Sequence, residues 1–151
     1  MTSHSQVIPY LSFPGKAAEA MQFYAKTLRG ELLAVVRAAD MPPPAQEQMC
    51  GSGAGPALDK DFVVHAAVQL PGGGLLYAGD CPPGMPYEGI KGVSLTIEYP
   101  TVAEARSVFD ALAEGGRVTM PMGPQFWAKA AGMLVDRYGT AWIVNGERTP
   151  T

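Results

Sequence analysis

The chain has 151 residues, of which 47% are hydrophobic and 17% are charged, and its net charge is −3. These values predict a globular protein with a core of its own and exclude a disordered chain. The lack of a basic stripe argues against nucleic acid as a partner, and no apolar run approaches the ~20 residues that a membrane helix needs.

The first residues and the cysteines bear on the compartment. The sequence begins with neither the basic start nor the apolar stretch of a signal peptide, so we expect a cytoplasmic location. Cys50 and Cys81 lie 31 residues apart in Gly- and Pro-rich segments. This spacing is typical of neither a zinc site nor a redox motif, so we expect two reduced thiols.

The first half of the chain predicts a strand, a helix and three further strands. Residues 7–13 form the first strand. A helix follows over 14–30, with Gly30 as its stop and an apolar face of Ala20, Phe23, Tyr24 and Leu28. A strand over 31–38 leads into a Gly- and Pro-rich segment, 39–61, which is either functional or disordered. Residues 62–70 and 75–80 form a β-hairpin whose turn is "PGGG".

The same order of elements recurs after a linker over 81–91. Residues 93–99 predict a strand, 101–116 a helix, and 117–123, 130–135 and 141–145 three strands. Glu19-Ala20 aligns with Glu104-Ala105, and Ala66-Ala67 aligns with Ala130-Ala131, which indicates an internal duplication. We therefore predict an α+β protein of one domain, 1–151, built from two βαβββ modules of about 5–80 and 92–147. Two curved sheets side by side would form an open cup, a common place for a ligand.

Strand alternation predicts which side chains face that cup. In residues 93–99 the apolar face should pack under the second helix; its members are Val93, Leu95, Ile97 and Tyr99. The polar face, with Ser94, Thr96 and Glu98, should then look into the cup. In the last strand, Trp142 is expected on the helix side and Ile143 on the cup side.

Three segments resemble a known superfamily: "PYLSFPGKAAEAMQFYAKTLRGEL" at 9–32, "HAAVQLPGGGLLYAGDCPPG" at 65–84 and "FWAKAAGMLVDRYGTAWIVN" at 126–145. They resemble the vicinal-oxygen-chelate superfamily, which includes glyoxalase I, bleomycin-resistance proteins and extradiol dioxygenases, and in particular its PhnB-like branch. The resemblance covers nearly the whole chain and implies the glyoxalase/bleomycin-resistance/dioxygenase fold and a homodimer. Because the superfamily hosts isomerases, dioxygenases, thiol transferases and binding proteins, it does not decide the activity.

The resemblance also predicts where a metal would bind in this superfamily. The ligand positions fall on Pro9, Ser94 and Ile143 and, through the internal repeat, on Tyr77. Pro and Ile offer no lone pair, and Ser and Tyr are poor ligands for Zn, Ni or Fe beside His and carboxylate. We therefore predict no metal and no cofactor. The alternative is a divalent metal held by a shifted set of His65, Glu98 and Asp80.

Seven residues are candidates for the site. His65 and Glu98 are predicted as catalytic acid or base groups, and the predicted ligand-binding residues are Tyr77, Asp80, Ser94, Phe126 and Trp127. Each also has a purely structural interpretation: His65 bonded to a neighbouring carbonyl, Glu98 solvated, Asp80 capping a turn through its own side chain, and the aromatic pair in the core.

Three functions follow as hypotheses. The first is a PhnB-like protein, independent of metal, that binds or modifies a small organic molecule in the cup. The second is a divalent-metal-dependent isomerase, lyase or dioxygenase with shifted ligands. The third is a non-catalytic dimeric binding or resistance protein. The sequence leaves open whether a reaction is catalysed and which molecule is bound, and it carries no Arg/Lys cluster that would support phosphonate chemistry.

Overall fold

A computed structural model describes residues 5–42, 59–82 and 84–150 and divides the chain into two compact units, Met1–Tyr87 and Glu88–Thr151. The first unit contains β1 (Tyr10–Phe13), α1 (Ala17–Thr27), β2 (Glu31–Arg37), a short 3-10 helix (Ala38–Asp40), β3 (Val63–Gln69) and β4 (Leu75–Asp80). The second contains β5 (Leu95–Tyr99), α2 (Val102–Ala113), β6 (Arg117–Gln125), β7 (Ala128–Val135) and β8 (Ala141–Arg148).

Both units have the same topology. The sheet orders are β1-β4-β3-β2 and β5-β8-β7-β6, and in each unit the first and last strands pair in parallel while the other pairs are antiparallel. The predicted α+β class with two βαβββ units is therefore confirmed. The open cup between them stays a prediction. Most of the segment 39–61 lies outside the described residues, as does Cys50. Cys81 is a free thiol.

The two helices follow from apolar residues spaced three and four apart. The buried residues of α1 are Ala17, Ala20, Met21 and Tyr24, and those of α2 are Ala105, Val108, Phe109 and Leu112. Thr101 begins α2 by accepting a hydrogen bond from the Glu104 amide at 3.2 Å. Among the described residues, no helix is long and apolar enough to cross a membrane.

The end of α1 differs from the prediction that Gly30 stops the helix. Arg29 takes the left-handed conformation, with φ 58°, and the Gly30 amide donates back to the Ala25 carbonyl at 2.8 Å. A Cβ at Gly30 would lie 2.5 Å from the Gln69 carbonyl oxygen. The glycine is therefore required by the close approach of β3, and the turn itself is made by Arg29.

Each sheet buries one face under its helix. In the first unit this face contains Leu11, Phe13, Ala66, Val68, Leu76 and Ala78; in the second it contains Ala130, Leu134, Trp142 and Val144. Gly132 and Gly146 let α2 approach closely, because a Cβ would lie 2.6 Å from Phe109 Cε2 and 2.7 Å from Ala105 Cβ respectively. Trp142 lies on the helix side and Ile143 on the other face, as predicted. The prediction for Val93 is wrong, because it precedes β5 and is 58% exposed.

Asp136 organises the turn between β7 and β8. Its carboxylate is buried and accepts hydrogen bonds from the amides of Tyr138 (2.8 Å) and Thr140 (3.1 Å) and from Trp142 Nε1 (2.8 Å). Gly139 closes the turn with φ 90°. The Asp-to-Trp spacing of "DRYGTAW" is therefore explained by folding: the aspartate fixes both the turn and the buried indole.

Candidate functional site

The first unit exposes one face of its sheet, the face opposite α1, which we call open face 1. Tyr10 pairs with Tyr77, Tyr77 pairs with Ala67, and Ser12 pairs with Gly79. Partners in register point to the same side of a sheet. The chain neighbours of Tyr10 and Tyr77, including Leu11, are the residues buried under α1. Tyr10, Tyr77 and their partners therefore face away from the helix.

His65 joins this face between two tyrosines. Its ring is stacked with Tyr10 at a centroid distance of 6.0 Å and an interplanar angle of 27°. It meets the edge of Tyr77 at 4.7 Å and 75°. Within the described parts of the chain, neither the His65 imidazole nor the Tyr77 hydroxyl makes a hydrogen bond. The structure thus brings together two residues that the sequence predicted separately, and both keep their polar groups available.

Tyr10, which is not among the predicted site residues, contacts His65 from the other side. Its hydroxyl crosses β4 and donates to the Val64 carbonyl on β3 at 2.9 Å. This crossing is possible because Gly79 has no side chain, since a Cβ there would collide with the Tyr10 hydroxyl. The signal was present in the sequence: alternation in "PYLSF" places Tyr10 opposite to Leu11 and Phe13.

The electrostatics of open face 1 keep Tyr10 as a proton donor. Burial raises the pKa of the Tyr10 phenol, and the negative charge of Asp80 raises it further. A raised pKa favours the neutral phenol, which is the form that donates to the Val64 carbonyl. The His65 ring is therefore stacked beside a neutral phenol.

Asp80 is used by the fold. One carboxylate oxygen accepts from the Ala17 amide at 2.9 Å, at the start of α1, and the other accepts from the Val63 amide at 2.8 Å, at the start of β3. By strand alternation its side chain lies on the α1 side of β4, opposite to the His65 ring. Its capping therefore involves a helix and a strand distant in sequence rather than the turn that follows it.

The second unit exposes the corresponding face, which we call open face 2. Thr96 pairs with Ile143 and Glu98 with Asn145 across β5 and β8. The Glu98 side chain is 47% exposed and its carboxylate lies 4.0 Å from Arg148 Nη1, a loose surface pair. Ser94 directly precedes β5 and is exposed. Glu98 therefore faces away from α2, as the alternation of "VSLTIEY" predicts.

Trp127 and Phe126 have different environments. Trp127 is half-buried and its Nε1 donates to Asn145 Oδ1 at 3.1 Å. Phe126 meets the Trp127 ring edge-on at 4.8 Å but is 85% exposed, so it does not belong to the core. Asn145, which sequence reasoning passed over, is only 6% exposed. Strand alternation in "AWIVN" places Asn145 on the same face as Ile143, and this pattern could have identified it.

The strand registers agree with the predicted equivalence of Tyr77 and Ile143. The β3–β4 pairing ends at Gln69 and Leu75 and the β7–β8 pairing ends at Val135 and Ala141, so each turn spans five residues. Two residues further along the last strand of each unit lie Tyr77 and Ile143 respectively.

The described residues do not fit a divalent metal site. Among residues 5–42, 59–82 and 84–150, no three His, Cys, Asp or Glu side chains lie close enough together to hold an ion. The carbonyl of Pro9 accepts from the Tyr77 amide at 3.0 Å and so belongs to the β1–β4 ladder. In the shifted set, Asp80 already has both oxygens bonded to backbone amides. We therefore derive no chemistry through a metal.

These features define the class of protein. Two four-stranded sheets, each with its first and last strands paired in parallel and one face covered by a helix, form the glyoxalase/bleomycin-resistance/dioxygenase fold of the vicinal-oxygen-chelate superfamily. A solved domain from Frankia sp. with that description shares the fold, at 15% identity with a TM-score of 0.61, and covers 95% of this chain and 90% of its own.

Within that superfamily the chain belongs to the PhnB-like family, whose family model, described as 3-demethylubiquinone-9 3-methyltransferase, matches residues 5–145. It is 42% identical to protein PA1353 from Pseudomonas aeruginosa, with a TM-score of 0.81 over 94% of this chain and 97% of that one. A PhnB protein from Bacillus cereus is 27% identical, with a TM-score of 0.71 over 93% and 98% of the two chains. Protein YjdN of Escherichia coli K12 is 31% identical over 91% of this chain and 92% of its own.

Proposed function

We propose that this protein binds a small, flat organic molecule without a metal, and that His65 and Tyr77 on open face 1 contact it. The observation that carries the proposal is the His65–Tyr77 pair. Its rings meet at 4.7 Å on the face away from α1, and neither polar group has a partner among the described residues. Polar side chains that face away from the core and lack an internal partner are available to a ligand.

The chemistry of this pair suits a ring that carries oxygen atoms. The His65 imidazole can stack on a planar ring and can give or accept a hydrogen bond or a proton. The Tyr77 hydroxyl can both donate and accept a hydrogen bond. The family description names a demethylated ubiquinone, a ring of this kind, and we carry over to this chain only the class of a planar phenol or quinone. Tyr10 supports His65 and acts as a positioning residue.

Open face 2 supplies the other proposed groups. Glu98 would serve as an acid or base, and Ser94, Phe126 and Trp127 as ligand contacts. Of these, Phe126 has the most exposed ring, and Trp127 is held in place by Asn145. Asp80 has the weakest claim to ligand contact, because both of its oxygens cap backbone amides.

Calorimetric titration with planar phenols and quinones tests the proposal. His65→Ala should lower the affinity for the bound compound about tenfold or more, since it removes both a ring contact and a hydrogen bond. Tyr77→Phe should lower that affinity about threefold to tenfold. Gln22→Ala, on the exposed side of α1, is the matched control and should change nothing. Unchanged binding in both site variants would remove these residues from the site.

Activity and assembly follow as separate measurements. Product formation from a bound compound that stops in His65→Ala and in Glu98→Gln would make the protein an enzyme, whereas binding without turnover would make it a binding protein. We also propose a homodimer, as the superfamily implies. A molar mass near 15.9 kDa at micromolar concentration would contradict it.

A further inference from the structure

Asn145 is a buried polar side chain with an unused donor. It is 6% exposed, and its Oδ1 accepts the indole hydrogen of Trp127 at 3.1 Å. Its Nδ2 donates to no atom of residues 5–42, 59–82 or 84–150. That nitrogen also retains contact with solvent, since it is not among the fully enclosed polar atoms without a partner. Buried amide groups usually satisfy their hydrogens, so an accessible, unused NH₂ group marks a place for an acceptor from outside.

Trp127 fixes which end of the amide is available. An indole Nε1–H can only donate, so the atom that faces it must be the amide oxygen. The Asn145 NH₂ group must then point away from Trp127. The hydrogen bond to Trp127 thus fixes the orientation of the Asn145 amide. A ligand would meet an NH₂ donor that is already held in place before binding.

Glu98 supplies an acceptor beside this donor. It is the register partner of Asn145 on the neighbouring strand β5, so the two side chains lie on the same face about 5 Å apart at the backbone. The nearest cation to Glu98 is Arg148, at 4.0 Å and largely exposed. A donor and an anionic acceptor side by side complement a group that has one acceptor and one donor next to each other.

We infer that Asn145 and Glu98 form a recognition site on open face 2 for a neutral carboxamide or lactam group. The ligand carbonyl accepts from Asn145 Nδ2 and its N–H donates to the Glu98 carboxylate, while Trp127 acts as the positioning residue for Asn145. A carboxylate would be excluded, because its charge would face that of Glu98. The inference rests on the proposed function only in that open face 2 is available to a small molecule.

Benzamide is the probe, and nitrogen-15 NMR of the full chain reads the site directly. Benzamide should shift the Asn145 side-chain NH₂ signals and the Trp127 indole signal. The only other indole, that of Trp142, is bonded to Asp136 and should not move. Trp127→Phe assigns the indole signal. Acetophenone, which lacks the N–H, and benzoate, which adds a charge, should each bind about tenfold more weakly than benzamide.

Two variants test the two hydrogen bonds. Asn145→Asp keeps the acceptor for Trp127 but removes the donor, and should weaken benzamide about tenfold. Glu98→Gln should reduce the preference for benzamide over benzoate about fivefold, because the repelling charge is gone. The Glu98 side chain is about half exposed, so this second variant should fold even if Asn145→Asp does not.

The outcomes separate this inference from the proposed function. Shifts at Asn145 and Trp127 that weaken in the variants support it, whatever happens at His65. Benzamide shifts at His65 alone would overturn it and leave the proposed function intact. Absence of any shift, or equal affinity of Asn145→Asp and the unaltered protein for benzamide, would also overturn it.

Discussion

Gly79→Ala should destabilise the first unit through Tyr10. The added Cβ would collide with the Tyr10 hydroxyl and lie 2.9 Å from the Val64 carbonyl oxygen. The phenol can swing away, but the carbonyl belongs to β3 and cannot move alone. Forcing a methyl group into such a place costs about 1–3 kcal/mol. Loss of the Tyr10 hydrogen bond adds about 0.5–1 kcal/mol, at the low end because Tyr10 is half exposed. Together they predict a loss of about 1.5–4 kcal/mol in the free energy of unfolding.

Urea denaturation of four proteins measures the coupling between the two residues. Tyr10→Phe removes the hydroxyl, so Gly79→Ala should cost about 1 kcal/mol less in that background than in the unaltered protein. Gly74→Ala is the matched control in the same hairpin. Its Cβ would meet only Leu70 at an ordinary 3.7 Å, so it should change stability by less than about 0.5 kcal/mol.

The reasoning would be refuted by either of two results. Equal stability of Gly79→Ala and Gly74→Ala would show that the backbone absorbs the methyl group without cost. Strict additivity of Gly79→Ala with Tyr10→Phe would show that the hydroxyl is not the atom in the way. Since Tyr10 stacks on His65, Gly79→Ala should also lower the affinity of open face 1 for its proposed ligand, even though residue 79 carries no polar group.

Three further predictions concern single groups. Asp136→Ala should lower the free energy of unfolding by about 3–5 kcal/mol in urea denaturation, because it leaves buried donors of Thr140 and Trp142 unpaired; a loss as small as that of the exposed Asp110→Ala would contradict this. Asp80→Asn should cost about 1–2 kcal/mol and speed hydrogen exchange in the first turn of α1, since an amide keeps only one of the two acceptor oxygens; unchanged exchange there would count against the cap. The folded-state pKa of Tyr10 lies above the ordinary 10.0. The contribution of the neutral Tyr10 phenol to folding stability should therefore be complete below pH 10 and be lost as pH rises through the raised folded-state pKa. Ultraviolet titration should show a late-ionising tyrosine that Tyr10→Phe abolishes, and identical curves would refute it.

Much of the fold could be predicted because the relevant signals are local. Helix faces follow from apolar spacing, and the residues on the α2 side of β5 and β8 and those on the opposite face follow from alternation. The ends were harder. Strand β6 continues to Gln125 through two prolines, which is tolerated because β6 lies at the edge of its sheet. Strand β8 continues to Arg148 through Glu147, whose φ of 58° no local pattern announces.

The candidate site could be predicted only in part, because it depends on pairing between distant strands. His65 and Tyr77 were recognised separately, but their edge-to-face contact depends on the β3–β4 register, and Tyr10 joins them only through β1–β4 pairing. The sequence predicts that Asp80 caps a local turn, but its partner at Ala17 is 63 residues away. Asn145 was overlooked because a polar residue near a strand end usually remains in solvent, and only the Trp127 bond shows otherwise.

The parallel pairing of first and last strands has a consequence for how the chain reaches its native state. Neither sheet is complete until the first strand of the unit pairs with its last strand. The chain between the paired residues spans 67 residues from Tyr10 to Tyr77 (77 less 10) but 47 from Leu95 to Trp142 (142 less 95). The chain entropy of the longer closure costs about 0.3 kcal/mol more. Non-local contacts of this kind slow folding. The two units therefore share an architecture but should fold at different rates. The C-terminal unit has the shorter span to close and should gain its full hydrogen-exchange protection first during refolding.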